Sequence, residues 1–256
     1  MRRHLNGIIC GALLGLLLHH AAAAQAPTKL DIDSLLHHID ELYRSNSSYS
    51  ELEMDITTPH WQRTLAMKAW TEGLKKTFIR ITSPEKEKGV ATLRIGSEMW
   101  NYLPKTNKVI KIPPSMMMSS WMGSDFTNDD LVKEFSLFED YSYERIYPDS
   151  GETDTIYVNC IPHPDLPVVW GNIVVAVRAR DSIPIWQKYY DEQGNLMRVL
   201  EYSDVRIFDG RKIPATMTMI PQEKEGHKTV IRYLMIEFNP RLDESIFSLR
   251  NLYSTH

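Results

Sequence analysis

Cysteine is scarce in this sequence. Two cysteines occur among 256 residues, and Cys10 lies in an apolar stretch at the N-terminus. If that stretch is removed on export, Cys160 has no partner for an intramolecular disulfide. A single cysteine inside a strand-like run (TIYVNCI) is most often a small buried apolar residue, so we predict a structural role for Cys160.

Sequence motifs of common catalytic and nucleotide-binding sites are also absent, including G-x-S-x-G, the P-loop and G-x-G-x-x-G. Cys160-x-x-His163 is half of a zinc pattern, and no second half follows. Asp125, Asp129 and Asp130 could supply carboxylates to a hydrolase of lipid or glycan, but helix capping explains them more simply. We therefore predict no enzymatic activity, no cofactor and no metal site.

The charge of the chain shows no excess of basic residues. Lys and Arg number 29 against 33 Asp and Glu, which gives a formal net charge of −4. A protein that binds nucleic acid usually carries a basic surface, so nucleic acid is not an expected partner. Beyond the N-terminus, no apolar run reaches the length of a membrane span.

The N-terminus has the pattern of a secretory signal peptide. Two arginines precede an apolar run at 7–18, and four alanines follow at 21–24. We predict cleavage after Ala24, so residues 1–24 are the signal peptide and 25–256 form one exported domain.

Beyond this leader, the chain predicts one helix followed by many strands. Residues 31–46 place apolar side chains at the spacing of an amphipathic helix, and the pattern then changes to alternation. Short polar breaks separate the alternating segments, which is typical of an antiparallel meander of 12 to 13 strands. The predicted strands are 50–58, 63–73, 74–83, 90–96, 98–104, 108–114, 141–147, 154–161, 172–180, 183–191, 196–208, 212–221 and 229–238.

One segment, IPPSMMMSSWMGSDFTNDDL at 112–131, concentrates four methionines and a tryptophan. We predict a short helix over Met116 to Met122, anchored by Trp121, and a second helix over 125–135. Met side chains repack around different guests, so the first helix could be a lid over an apolar cavity; simple core packing is the alternative. The candidate cavity and lid residues are Met54, Leu65, Met67, Phe78, Trp100, Met117, Met118, Trp121, Met122, Phe126, Met217 and Met219.

Several motifs carry a resemblance to a known family. They are a Ser-Pro turn ending in Lys-Gly at 82–89, Met-Trp-x-Tyr-Leu-Pro at 99–104, and Met-Gly-Ser-Asp-Phe at 122–126 followed by Asp-Asp-Leu. The downstream segments IPIWQKYYDEQGNL, IPATMTMIP and SIFSLRNL extend the match over nearly the whole mature chain. In these motifs the sequence resembles the LolA-like outer-membrane lipoprotein-sorting proteins, in a branch of uncharacterised periplasmic members.

The resemblance implies a mainly β (α+β) fold, an unclosed antiparallel β half-barrel with helices packed in its concave face. It also implies an apolar cavity for lipid acyl chains. The expected function is a periplasmic carrier or chaperone for a lipoprotein or another lipid, working with an inner-membrane transporter and an outer-membrane acceptor. A lipid-sensing regulatory module of the same fold is the alternative.

Overall fold

The computed structural model describes residues 31–132, 136–164, 166 and 168–254. The predicted signal peptide at 1–24 lies outside these residues. No helix within the described part of the chain is both long enough and apolar enough to cross a membrane.

Thirteen antiparallel strands form one sheet, ordered β6-β5-β4-β3-β2-β1-β13-β12-β11-β10-β9-β8-β7. Strands β6 and β7 are its two edges, so the sheet is open. The predicted fold, an unclosed antiparallel half-barrel with few helices, is confirmed. The strands are β1 Ser47–Thr57, β2 Gln62–Glu72, β3 Lys76–Ser83, β4 Ala91–Ile95, β5 Glu98–Leu103, β6 Lys108–Lys111, β7 Tyr141–Ile146, β8 Thr155–Pro162, β9 Asn172–Arg178, β10 Ile183–Tyr190, β11 Leu196–Phe208, β12 Arg211–Pro221 and β13 Lys228–Phe238.

The N-terminal helix, α1, spans Ile32–Glu41 and begins where the Asp31 side chain accepts a hydrogen bond from the Asp33 amide. Such a cap satisfies an amide that has no partner within the helix. At the other end, the Arg211 guanidinium donates to the carbonyls of Glu41 at 3.0 Å and Arg44 at 2.6 Å. A cation at the helix C-terminus is favourable because the helix dipole is negative there.

One face of the sheet, which we call the inner face, is covered by α1 and by the segment around Trp121. Alternate residues of each strand share a face, and directly paired residues of neighbouring strands lie on the same side. The inner face therefore carries Ser50, Leu52, Met54, Ile56, Leu65, Met67, Ile79, Ile81, Thr92, Ile173, Val175, Gln187, Tyr189, Leu200, Met219 and Thr229.

The opposite, outer face is covered at β3 to β5 by the C-terminal tail. The tail forms a 3₁₀ turn at Glu244–Phe247 and a short helix, α3, at Leu249–Leu252. Phe247 and Leu252 pack against Phe78, Leu93 and other buried residues of these strands.

Candidate functional site

The segment from Pro113 to Phe126 is a compact loop rather than the predicted helix over Met116 to Met122, so that prediction is wrong. A single 3₁₀ turn spans Pro114–Met116, and Met122 and Gly123 then adopt positive φ angles of 52° and 76°. Consecutive left-handed residues cannot continue a right-handed helix, and they turn the chain back on itself. The Trp121 amide donates to the Phe126 carbonyl at 2.8 Å, which closes the reversal.

Trp121 fixes this loop to the inner face. Its side chain is 1% exposed, and the indole Nε1 donates to Thr92 Oγ1 at 3.1 Å. The Arg63 guanidinium donates to the Met122 carbonyl, and it also donates to Glu87 at 3.2 Å. Asp125 adds a third attachment, because its amide donates to Thr229 Oγ1 at 2.9 Å while its carboxylate accepts from the same hydroxyl at 2.7 Å.

The second predicted helix is present as α2, Asn128–Val132, and residues 133–135 of the predicted span lie outside the described residues. Thr127 and Asp130 cap it reciprocally, since the Asp130 amide donates to Thr127 Oγ1 and the Thr127 amide donates to the Asp130 carboxylate. Arg198 on β11 then binds both carboxylate oxygens of Asp130 at 2.8 Å. These contacts give Asp130 a structural role at the edge of the loop.

The twelve predicted site residues do not all lie together in the structure. Met54, Leu65, Met67, Met219, Trp121 and Phe126 are buried together on the inner side, and Met217 lies partly buried on the same face. Met117 and Met122 are half-buried, whereas Met118 is 43% exposed.

Two of the twelve, Phe78 and Trp100, lie on the outer face beneath the C-terminal tail, so their placement in the same cavity is wrong. The tail covers the outer face here, and four consecutive residues of β3 are buried as a result. Alternation of apolar and polar residues therefore does not distinguish the two faces of this strand.

A cavity of about 200 Å³ lies elsewhere on the inner side, between α1, the segment 137–141 and strands β9 to β11. None of the twelve predicted residues lines it. Its wall is mixed, with aliphatic side chains, four tyrosines and a few polar groups. The lining residues are Ile39, Asp40, Leu42, Tyr43, Arg44, Leu137, Tyr141, Ile173, Pro184, Gln187, Tyr189 and Tyr202.

Polar contacts around Asp40 hold one wall of this cavity. Its carboxylate accepts hydrogen bonds from the Ser136 hydroxyl at 2.5 Å, the Leu137 amide at 3.2 Å and the Phe138 amide at 3.1 Å. Tyr43 donates from its hydroxyl to the Pro214 carbonyl at 2.7 Å, which joins the end of α1 to β12. The cavity thus lies between α1 on one side and the sheet on the other.

A larger groove of about 610 Å³ adjoins the cavity. Asp40, Leu42 and Arg44 line both spaces, so the groove begins where the cavity ends. Most of its other lining residues are polar, namely His37, His38, Glu41, Ser45, Asn46, Ser136, Glu139, Arg211 and Asn239. The two spaces are about equally open, and the cavity has the more apolar wall of the two.

A row of apolar side chains connects the cavity to the packed region under Trp121. Tyr202 of the cavity wall is directly paired with Met217, and Met217 is paired with Ile231 of the next strand. Ile231 is paired with Met54, and Met54 with Leu65. Five neighbouring strands therefore present one continuous inner-face row from the cavity to Met54 and Leu65.

Burial controls ionisation in this region. Burial raises the pKa of the Cys160 thiol to about 12, with the nearby Asp40 carboxylate as the second cause. Burial also raises the pKa of Tyr43, Tyr141 and Tyr202 well above the usual value of a tyrosine. The cavity therefore presents neutral hydroxyl groups over the whole physiological range of pH.

The residues that line the cavity have no unusual composition, so the sequence does not mark them. Ile39 and Leu42 belong to the apolar stripe of α1, and Gln187 and Tyr189 alternate along a strand. The alternation at 187 and 189 marks a polar amide on a buried face, but it does not indicate free volume beside it.

Three solved structures share this fold. A DUF1329 family protein from Desulfovibrio piger is 22% identical, with a TM-score of 0.76 over 86% of this chain and 97% of that one. An outer membrane lipoprotein-sorting protein domain from Vibrio parahaemolyticus is 21% identical, with a TM-score of 0.73 over 87% of this chain and 97% of that one. A LolA superfamily protein from Nitrosomonas europaea is 20% identical, with a TM-score of 0.70 over 85% of this chain and 97% of that one. The fold is therefore LolA-like.

A family model also matches the chain, over residues 73–254. Its description reads "Uncharacterized protein", and the chain belongs to this family because the match spans more than half of its length. No curated protein matches the chain significantly. Fold and family are thus established, and the function has to be inferred from the site.

Proposed function

We propose that this protein is a periplasmic carrier that binds an acyl chain of a lipoprotein or of another lipid and moves it toward the outer membrane. The observation that carries the proposal is the inner-face cavity under α1, with the apolar row that extends from it. The LolA-like fold supports the same function, since one structural neighbour is a lipoprotein-sorting domain. An inner-membrane transporter would supply the cargo, and an outer-membrane acceptor would receive it.

The energetic requirement for such a carrier is large. An acyl chain of roughly 15 methylenes gains about 0.8 kcal/mol per buried methylene, so leaving the membrane costs on the order of 12 kcal/mol. A carrier in water has to offer a comparable apolar environment. A surface patch cannot do so, because it leaves half of the chain in contact with water.

The cavity of about 200 Å³ holds only part of such a chain. An engineered protein cavity of about 150 Å³ binds one benzene molecule, so this cavity accommodates roughly eight carbon atoms. The remainder of a longer chain would have to lie along the apolar row toward Met217 and Met54. In this proposal the inner-face methionines, Trp121 and Phe126 become the far part of the binding site when the protein is loaded.

Loading therefore requires the cover of the inner face to move, and α1 is the part that we propose moves. Its apolar residues Leu35, Leu36 and Ile39 are buried. Its polar attachments lie at the two ends, with Asp33 at the N-terminal end and Asp40, Tyr43 and the last carbonyls at the C-terminal end. Displacement of α1 by the incoming chain would join the cavity to the groove. The loop from Pro113 to Phe126, which we call the Trp121 loop, would stay in place as the opposite wall.

The proposal is tested with N-phenyl-1-naphthylamine, a fluorescent apolar probe that long-chain lipids displace. Ile39→Phe adds volume directly into the cavity wall and is expected to weaken probe binding at least tenfold. Leu35→Phe is the matched control, because Leu35 is buried on the same helix but does not line the cavity. Equal binding by the wild type and a folded Ile39→Phe variant would refute the proposed site. Mass spectrometry of an organic extract of the protein from native periplasm would then identify the cargo.

A further inference from the structure

Two tyrosine hydroxyls at the cavity have no hydrogen-bond partner among the described residues. Tyr43 and Tyr189 also line the cavity, but Tyr43 donates to a carbonyl and Tyr189 donates to Gln187 at 2.7 Å. Tyr141 and Tyr202 have no such contact, although Tyr141 is only 5% exposed. Neither hydroxyl is completely buried, so each can be reached from the cavity, and an acceptor that enters the cavity could accept their hydrogen bonds in place of water.

Gln187 adds a third donor. Its Oε1 accepts the hydrogen bond of Tyr189, and its amide nitrogen has no partner within the described part of the chain. The three donors come from β7, β10 and β11, and all three residues line the same cavity. Three donors from separate strands therefore line one space, which a ligand with an oxygen acceptor could enter.

The charge of the cavity wall is balanced. Asp40 is its one carboxylate and Arg44 its one guanidinium among the lining residues. Arg44 already has an interaction of its own, and Asp40 accepts three hydrogen bonds. An anion that entered the cavity would therefore find no free positive charge, and burying an unpaired charge is much more costly than burying a neutral polar group.

We propose that the cavity selects an amphiphile whose polar end is an uncharged oxygen acceptor, such as an ester carbonyl or a hydroxyl, held by Tyr141, Gln187 and Tyr202. This inference rests on the proposed carrier function and specifies the chemical class of its ligand. Free fatty acids and phosphate-bearing ends are excluded from the cavity, and an ester-linked acyl chain is accepted.

The protonation of both tyrosines is consistent with this role. Burial is the main cause of the raised pKa of Tyr202, and the nearby residues Tyr189, Tyr43, Tyr233 and Asp40 raise it further. Burial likewise raises the pKa of Tyr141. Both hydroxyls therefore remain donors at every pH at which the protein would function.

The test compares three ligands with the same ten-carbon chain, namely methyl decanoate, 1-decanol and decanoate at pH 8, as competitors of N-phenyl-1-naphthylamine. The wild type is compared with Tyr141→Phe/Tyr202→Phe, which keeps the rings and removes both hydroxyls. Loss of two hydrogen bonds is expected to weaken binding of methyl decanoate and 1-decanol about tenfold or more. Binding of the apolar probe itself should stay within about twofold.

The ratio of ester affinity to decanoate affinity is the decisive quantity, because differences in water solubility cancel when this ratio is compared between the two proteins. It is expected to fall at least about fivefold in the double variant. Tyr157→Phe is the matched control, since Tyr157 is paired with Ala176 on the outer face and away from the cavity. Its ratio should equal that of the wild type.

Two results would overturn the inference, and only the second of them would also refute the carrier function. If all ligands bind but the ratio is unchanged in the double variant, the ligand class is wrong while the carrier function stands. If neither the probe nor any ten-carbon ligand binds to the folded wild type, the carrier function fails as well.

Discussion

The two halves of the inner face are built differently. Under the Trp121 loop, Trp121, Met54 and Leu65 are almost completely buried, and polar contacts from Thr92, Arg63 and Thr229 attach the loop to the sheet. Under α1, four tyrosines and a glutamine surround an unfilled space of about 200 Å³.

The chemistry of the side chains explains this difference. Methionine is flexible and fills irregular gaps, so a cluster of methionines closes a cavity rather than leaving one open. Tyrosine rings are rigid, and each hydroxyl requires a partner, so several of them facing one another do not pack to full density. The adaptable residues therefore form the packed half of the inner face, and the rigid residues form the half with free space.

Replacement of Trp121 tests whether the first half is truly packed, and it has the largest expected effect. Trp121→Ala should lower the free energy of unfolding by about 3–5 kcal/mol, because it leaves a large cavity and leaves Thr92 Oγ1 without its donor. Urea denaturation provides the measurement. Trp61→Ala is the control, since Trp61 is 43% exposed and should cost less than about 1 kcal/mol.

A small loss of stability in Trp121→Ala, combined with strongly weakened lipid binding, would show that the region under the Trp121 loop is not simply packed core. The Trp121 loop would then be a lid, and its methionines would contact the ligand directly.

Asp40→Ala tests the second half and should have an intermediate effect. The substitution removes the acceptor for three donors of the segment 136–138, and we expect a loss of about 2 kcal/mol in the free energy of unfolding. Because Leu137 of this segment lines the cavity, the loosened wall should also admit the fluorescent probe faster. Stopped-flow fluorescence measures that rate.

Asp33→Ala is a suitable control for Asp40→Ala, because Asp33 is also on α1 but accepts its hydrogen bond from Tyr143, outside the cavity. If both variants take up the probe at the wild-type rate, the wall at 136–138 does not control access.

The sequence predicted the sheet much better than the site. All thirteen strands follow predicted alternating segments closely, because alternation is a local consequence of having one face buried. The prediction of a helix over Met116 to Met122 was wrong because Met122 and Gly123 adopt left-handed conformations. Glycine does so readily, whereas at Met122 the tertiary contacts of Trp121 and Arg63 hold the unfavourable conformation. The cavity could not be predicted because it depends on how residues from α1, β7 and β11 meet, and no local pattern reports free volume.

Substitution of Cys160, which lies near the cavity, should have the smallest effect on the free energy of unfolding. It lies on the inner face beside the cavity strands, and it is fully buried. Cys160→Ser should cost about 1 kcal/mol, since the new hydroxyl is placed in a buried apolar position, and Cys160→Ala should cost less. Because burial raises the folded pKa of this thiol to about 12, its contribution to stability is complete below the pKa of an unfolded cysteine, near 8.5. That contribution declines as the pH rises from about 8.5 toward 12, so the wild type should lose more stability over this interval than Cys160→Ala does. Parallel urea denaturation of both proteins between pH 8 and pH 10 provides the measurement. Rapid alkylation of Cys160 by iodoacetamide at pH 8 in the folded protein would show instead that the cavity half is open to solvent as far as β8.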